Sequence, residues 1–141
     1  MNKADWLEKY YPIKARKLSD ASDVDAINHC IKKWEGLCDI EQYGLTLNKD
    51  IQDLSELSGE TVLLINGSSC ALCSKYYDYN NGVCGECPLA RSLGRSCDED
   101  EFTYKSVYGQ ARSNPQVMIS ALKKALEMVE SEARQQSLFE E

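Results

Sequence analysis

The residues of this 141-residue chain best suited to chemistry are sulfurs. The stretch "CALCSKYYDYNNGVCGEC" holds two C-x-x-C pairs, Cys70–Cys73 and Cys84–Cys87, with ten residues between them; Pro88 follows at once and Cys97 nine residues after that. Two pairs at this spacing supply the four soft ligands of a tetrahedral zinc ion, Cys70, Cys73, Cys84 and Cys87. Proline suits the first position of a helix, so Cys87 is expected at a helix N-terminus, where unpaired amides favour thiolate. Two alternatives stay open. Cys-Pro also ends many iron–sulfur motifs, and Cys97 could take the place of Cys84 or Cys87 as a ligand. Disulfides are the weaker use of these sulfurs in a reducing compartment.

Four cysteines fill a zinc shell, whereas a catalytic zinc keeps one position for water and draws on histidine or carboxylate. The sequence therefore predicts structural Zn2+ and no enzyme. The one histidine, His29, falls on a helix beside Lys32 and Lys33, away from the apolar stripe, and reads as a surface residue. No Ser-His-Asp set can be built around it, and a treble-clef nuclease, which depends on histidine as base, is only an outsider. Gly82 and Gly85 belong to turns, so there is no phosphate-binding glycine loop. Cys30, beside the core stripe, and Cys38, near its end, read as small buried hydrophobes.

These sulfurs need elements to hold them. A helical start, Asp5 to Tyr11, is stopped by Pro12. A second helix is opened by a capping box of Ser22 and Asp25, carries Lys32 and Lys33 in its last turn, and leaves through Gly36. Val24, Ile27, Ile31, Trp34 and Cys38 form its core stripe. A short helical turn is expected from Asp50 to Leu57, and "TVLLIN", Thr61 to Asn66, reads as a buried strand leading into the first cysteine pair. Cys70 to Cys73 and Cys84 to Cys87 are expected as turns flanking a hairpin at Asn81-Gly82, with a short helix from Pro88 to Leu93. Asn114-Pro115 starts a last helix with Met118, Ala121, Leu122, Ala125 and Val129 inward, ending near Glu132. The fold class is α+β: two main helices packed on a small treble-clef or zinc-ribbon-like β module. Residues 1–134 form a single zinc-stabilised domain, with the zinc module at about 66–97 and a flexible tail at 135–141.

Net charge is −7. Residues 1 to 60 hold eight basic and twelve acidic side chains, 61 to 97 three and two, and 98 to 141 five and nine, so the cysteine module is a near-neutral island between acidic flanks. That balance disfavours binding to nucleic-acid phosphates, although Lys75, Arg91, Arg95 and the tyrosines make a zinc module that binds nucleic acid the runner-up. No apolar run is long enough to span a bilayer and the amino terminus lacks a signal-peptide core, so a cytoplasmic protein is expected.

The helix "IKKWEGL", then "CALC", then "CGECPLARSLGRSC" and the aromatic "FTYKSVY" resemble the pattern of small phage and prophage proteins with a Lys-Trp helix ahead of C-x-x-C and C-x-x-C-P, over roughly residues 24 to 108. The resemblance implies a phage-borne protein working inside the bacterial host cell, with a structural metal and no established activity. By analogy such acidic phage proteins act as stoichiometric inhibitors of host defence nucleases, as anti-CRISPR proteins do. Tyr76, Tyr77 and Tyr79, beside the acidic run Asp98, Glu99, Asp100 and Glu101, are the expected surface for a basic protein partner in bacterial DNA metabolism or defence. Gln135, Leu138 and Phe139 of "QQSLF" are similar to the short peptides that dock on the bacterial sliding clamp.

Overall fold

The computed structural model describes residues 2–48, 53–65, 69–76, 87–93, 110–111 and 114–140, excluding the side chains of 48 and 136–140. Helix α1, Lys3–Tyr10, starts from a complete capping box: the Asn2 side chain accepts from the Asp5 amide at 3.1 Å, and the Asp5 carboxylate accepts from the Asn2 amide at 3.0 Å. It stops at Tyr11, one residue ahead of Pro12, as the missing proline N–H requires. A 3-10 turn, Ala15–Leu18, leads to α2, Asp23–Leu37, where Ser22 Oγ accepts from the Asp25 amide at 3.1 Å.

Helix α2 is the spine of the fold. Its buried residues include Ala26, Ile27, Cys30, Ile31, Trp34 and Leu37, close to the expected stripe. Gly36 has a different role from the one expected. It lies inside the helix, not at a left-handed exit, and it lets α1 approach: a Cβ there would stand 2.6 Å from Tyr10 Cγ and 2.7 Å from Trp6 Cζ2. The fully buried Trp6 donates its indole N–H to the Gly36 carbonyl at 2.9 Å across this seam. Cys38, expected to be buried, is exposed as the C-cap residue of α2.

The segment that follows is where the sequence misleads most. Beyond a 3-10 turn, Glu41–Tyr43, Gly44 takes a left-handed φ of 68° and turns the chain into strand β1, Leu45–Asn48. Strand β2, Asp53–Glu56, stands where a turn of helix is expected. Strand β3, Thr61–Leu64, completes an antiparallel sheet in the order β1-β2-β3, with an irregularity between Leu54 and Ser55. The strand in "TVLLIN" is thus present but shorter, and it lies with partly exposed faces instead of buried. Ile65, just beyond it, is the buried residue.

Two short helices and one long one finish the core: α3, Ala71–Tyr76; α4, Pro88–Leu93; and α5, Pro115–Glu140. Asn114 and Pro115 open α5 as expected, with Asn114 Oδ1 accepting from the Gln116 amide at 3.2 Å. The helix runs on to Glu140, through the residues expected to form a loose tail. Helix α5 packs along α2, α4 packs on α5, and α3 packs on α2. Met118, Ile119, Ala121, Leu122 and Ala125 close the core from the α5 side. A side chain as buried as Leu122 or Leu72 contributes about 1.5–3 kcal/mol of transfer free energy. The chain is α+β, with two principal helices packed on each other and a small antiparallel sheet. A treble-clef or zinc-ribbon arrangement is not formed by the described residues: Cys70 immediately precedes α3, Cys73 lies within it, and Cys87 immediately precedes α4. Among the described residues no helix is long and apolar enough to cross a membrane.

Candidate functional site

The start of α3 meets the middle of α2, and this is where the sulfurs gather. Cys30, on α2 and almost fully buried, has its Sγ 3.8 Å from the Sγ of Cys70. The backbone N–H of Cys73 donates to the same Cys70 sulfur at 3.4 Å, because one helical turn places the second residue of a C-x-x-C pair over the first. One turn farther along α2, Lys33 is 2% exposed, and its ammonium donates to the Ser69 carbonyl at 3.1 Å and to Ser69 Oγ at 3.2 Å.

An ammonium so deeply buried requires a counter-charge. Among the described residues no carboxylate is ion-paired with Lys33. Lys33 also acts on the sulfur of Cys70. Hydrogen bonds from the Cys30 and Cys73 thiols hold its sulfur well below the usual thiol range, and Lys33 and the Cys73 amide act in the same direction. Cys30 is pushed the other way, by that same hydrogen bond and by burial. The site is a pair of close sulfurs beside a buried lysine, soft donors in a setting that suits a soft cation or an electrophile.

Cys87 is buried at the entrance to α4, where the Arg91 amide bonds back to its carbonyl at 2.9 Å. That matches the expected position at a helix start, with Pro88 in the first turn. Cys84 and Cys97, the other expected ligands, lie outside the described residues, as do Tyr77, Tyr79, Asp98, Glu99, Asp100 and Glu101. Among the described residues no group of three or more His, Cys, Asp or Glu side chains is placed to hold a metal ion. A complete shell therefore needs a sulfur from the undescribed part of the module. The sulfurs that are described, Cys70 with its neighbouring thiols beside the buried Lys33, are soft donors of the kind zinc takes.

Tyr76 was expected on an exposed hairpin and is instead the last residue of α3, partly buried against the core. Its hydroxyl donates to Asp23, and burial, followed by that hydrogen bond, pushes its pKa up to about 12. It fastens α3 to the first turn of α2. Gln135 is exposed on α5, whose backbone is helical through Leu138 and Phe139.

His29 is not the free surface residue expected. Its ring meets that of Tyr11 edge-on at 5.0 Å between centroids, and Nε2–H donates to the Ile13 carbonyl at 2.6 Å. Burial lowers its pKa, and Nδ1 is buried with no hydrogen-bond partner among the described residues. Two of the cations considered for nucleic acid are also engaged internally. Arg91 pairs with Glu132 at 2.9 Å, joining α4 to α5, and Lys75 lies 3.7 Å from Asp23 while donating to the Ala21 carbonyl.

Sequence reasoning missed Cys30 and Lys33 as members of the site. They lie three residues apart, hence on one face of α2. Periodicity marks that face as inward but cannot say that Ser69 and Cys70 lie against it. Compared with known proteins, the chain matches no family model, no curated protein and no solved structure.

Proposed function

We propose that this protein is a non-catalytic binding protein, stapled by a structural zinc that the two C-x-x-C pairs share. The observation that carries the reading is the environment of Cys70, whose thiolate is favoured by two thiols, an amide and the buried Lys33. Zinc and four thiolates together carry −2, and Lys33 would offset part of that charge from the second sphere. Cys70, Cys73 and Cys87, with Cys84 as the fourth sulfur, would hold the ion. The metal would supply cross-linking between α3 and α4 and no bond-making step.

Two findings favour binding over catalysis. The ring of His29 is held by Tyr11 and the Ile13 carbonyl, which counts against its use as a general base. Lys75 and Arg91 are tied into the fold, which counts against the nucleic-acid alternative. The resemblance to small phage proteins and the acidic surplus point to a protein partner with a basic face, in bacterial DNA processing or defence.

The first test is elemental analysis of purified protein with melting in the presence and absence of a strong chelator. One zinc per chain, and a lower melting temperature once it is removed, supports the reading. Protein that folds identically without metal overturns the staple, and metal-dependent turnover of nucleic acid overturns the non-catalytic role. The binding role is tested by affinity capture followed by reconstitution of a one-to-one complex from two purified components.

A further inference from the structure

A groove of about 700 Å³ opens between the end of α1 and the sheet, a volume in the range of small-molecule sites. Its apolar walls are Leu7, Tyr11 and Pro12 on one side and Val62 and Leu63 of β3 on the other. Successive side chains of a regular strand point to opposite faces, so Val62 and Leu63 would not both reach one groove. Here the register skips a residue: Leu63 stands opposite Leu54 and Thr61 opposite Ser55, which leaves Val62 as the extra residue of a bulge. A bulge re-aims side chains, and both residues line the groove, each only partly buried.

The charged lining is Lys14 and Arg16 against a single carboxylate, Glu8, a surplus of positive charge in a chain whose net charge is −7. All three are exposed, and among the described residues neither cation is ion-paired. The turn that carries them is pinned. The Tyr11 hydroxyl accepts from the Ala15 amide at 3.0 Å, and the Lys17 amide bonds back to the Lys14 carbonyl at 3.0 Å. Behind the groove, the buried Lys33 donates to the carbonyl and the Oγ of Ser69, itself part of the lining. No described carboxylate is paired with that ammonium, so its field adds to that of the rim.

We infer that this groove binds a small amphipathic anion, an aryl or alkyl body with one carboxylate or sulfonate head. The body lies against the apolar walls, and the head is held by Lys14 and Arg16. A neutral body of the same shape meets the same walls but loses the head contacts. A large polyanion is turned away by the acidic surplus of the rest of the chain. None of the lining residues is a metal ligand or a partner residue in the reading above, so this site stands or falls without it.

The probe is 8-anilinonaphthalene-1-sulfonate, titrated into the native full chain by fluorescence. Its neutral counterpart, N-phenyl-1-naphthylamine, lacks only the sulfonate. The expected result is saturable binding of a single sulfonate probe, tighter than that of the neutral one, with amide chemical-shift changes centred on Leu7, Tyr11, Val62 and Leu63. The double variant Lys14→Gln/Arg16→Gln should weaken the sulfonate about 5- to 10-fold and the neutral probe less than about 2-fold. Glu8→Gln, which removes the opposing charge, should tighten the sulfonate about 2-fold. These three positions are exposed, and an unchanged melting temperature separates lost binding from lost fold. Absent or unsaturable binding, shift changes centred elsewhere, or equal effects of the charge variants on both probes overturn the inference.

Discussion

The seam between α1 and α2 offers the sharpest test of how the central helix is held. Gly36→Ala adds one methyl group at a point where carbon atoms would stand 2.6 to 2.7 Å away, more than 0.8 Å inside the roughly 3.5 Å at which carbon–carbon contact becomes favourable. The nearest atoms are Tyr10 Cγ, Tyr10 Cβ and Trp6 Cζ2. A ring root and a fully buried indole cannot swing aside as the end of a lysine could, so α1 itself must retreat. Overpacking of this kind costs about 1–3 kcal/mol. The retreat also stretches the 2.9 Å bond from Trp6 Nε1 to the Gly36 carbonyl, and a buried donor left unsatisfied costs a further ~1–3 kcal/mol. Alanine recovers about 1 kcal/mol through helix propensity.

The net expectation for Gly36→Ala is a loss of roughly 1–5 kcal/mol, or about 3–18 °C in melting temperature for a domain of this size. Chemical denaturation followed by tryptophan fluorescence reads it directly, because Trp6 and Trp34 are both buried. The double variant Trp6→Ala/Gly36→Ala should show a coupling energy well above zero, since removing the indole removes part of the clash. A Gly36→Ala protein as stable as the parent, or more stable, would refute the reasoning: only the propensity gain would then be expressed, and α1 would not be seated against α2 as described.

Further predictions concern the site and its supports. Lys33→Met keeps the length of the side chain but removes the ammonium, and metal affinity measured by competition with a chromophoric chelator should fall about 10- to 100-fold, with the far-UV spectrum unchanged. The Tyr76 hydroxyl has a pKa raised to about 12 in the folded state, so its contribution to stability is complete below about pH 10 and is lost as pH rises from there through 12. Allowing for the partial exposure of the ring, this amounts to ~1 kcal/mol, visible as a shallower alkaline fall in Tyr76→Phe than in the parent. His29 is shifted down by burial, so the unfolded chain takes up its proton first and stability is lost as pH falls below about 6.5. His29→Gln should flatten that acid limb in urea titrations at pH 7 and pH 5.

What could be read from the sequence was whatever is decided within a few residues. Pro12 ends α1, Ser22 caps α2, and Asn114-Pro115 opens α5, because each depends on a backbone group one to three positions away. The inward faces of α2 and α5 were legible through their period. The sheet was not. Strand β2 offers only Asp53, Leu54, Ser55 and Glu56, of which Asp53 and Ser55 are buried polar residues, so no alternation of apolar and polar side chains announces a strand. Gly36 looked like a helix exit because glycine there usually marks one, whereas here its missing side chain makes room for a helix 26 residues earlier. Lys33 reads as a cation of the last turn of α2, whereas the helix runs one turn past it and tertiary packing buries it. The cysteine pairs marked a soft-ligand site, but the approach of Cys30 to Cys70 is a long-range consequence of helix packing.

That approach bears on the choice between the zinc proposed above and an iron–sulfur cluster. In a cubane iron–sulfur cluster each cysteine binds a different iron, so its ligand sulfurs stand well beyond contact, whereas Cys30 and Cys70 are 3.8 Å apart, a thiol-to-thiol contact. A cubane of the kind that Cys87-Pro88 alone would allow could not take both of these sulfurs without parting them. The protein isolated anaerobically from cells supplied with both metals should be colourless and carry zinc. A brown protein with sulfide-to-iron absorption that bleaches on reduction would show that the pair serves electron transfer, and the description of this chain as a passive binder would fall with it.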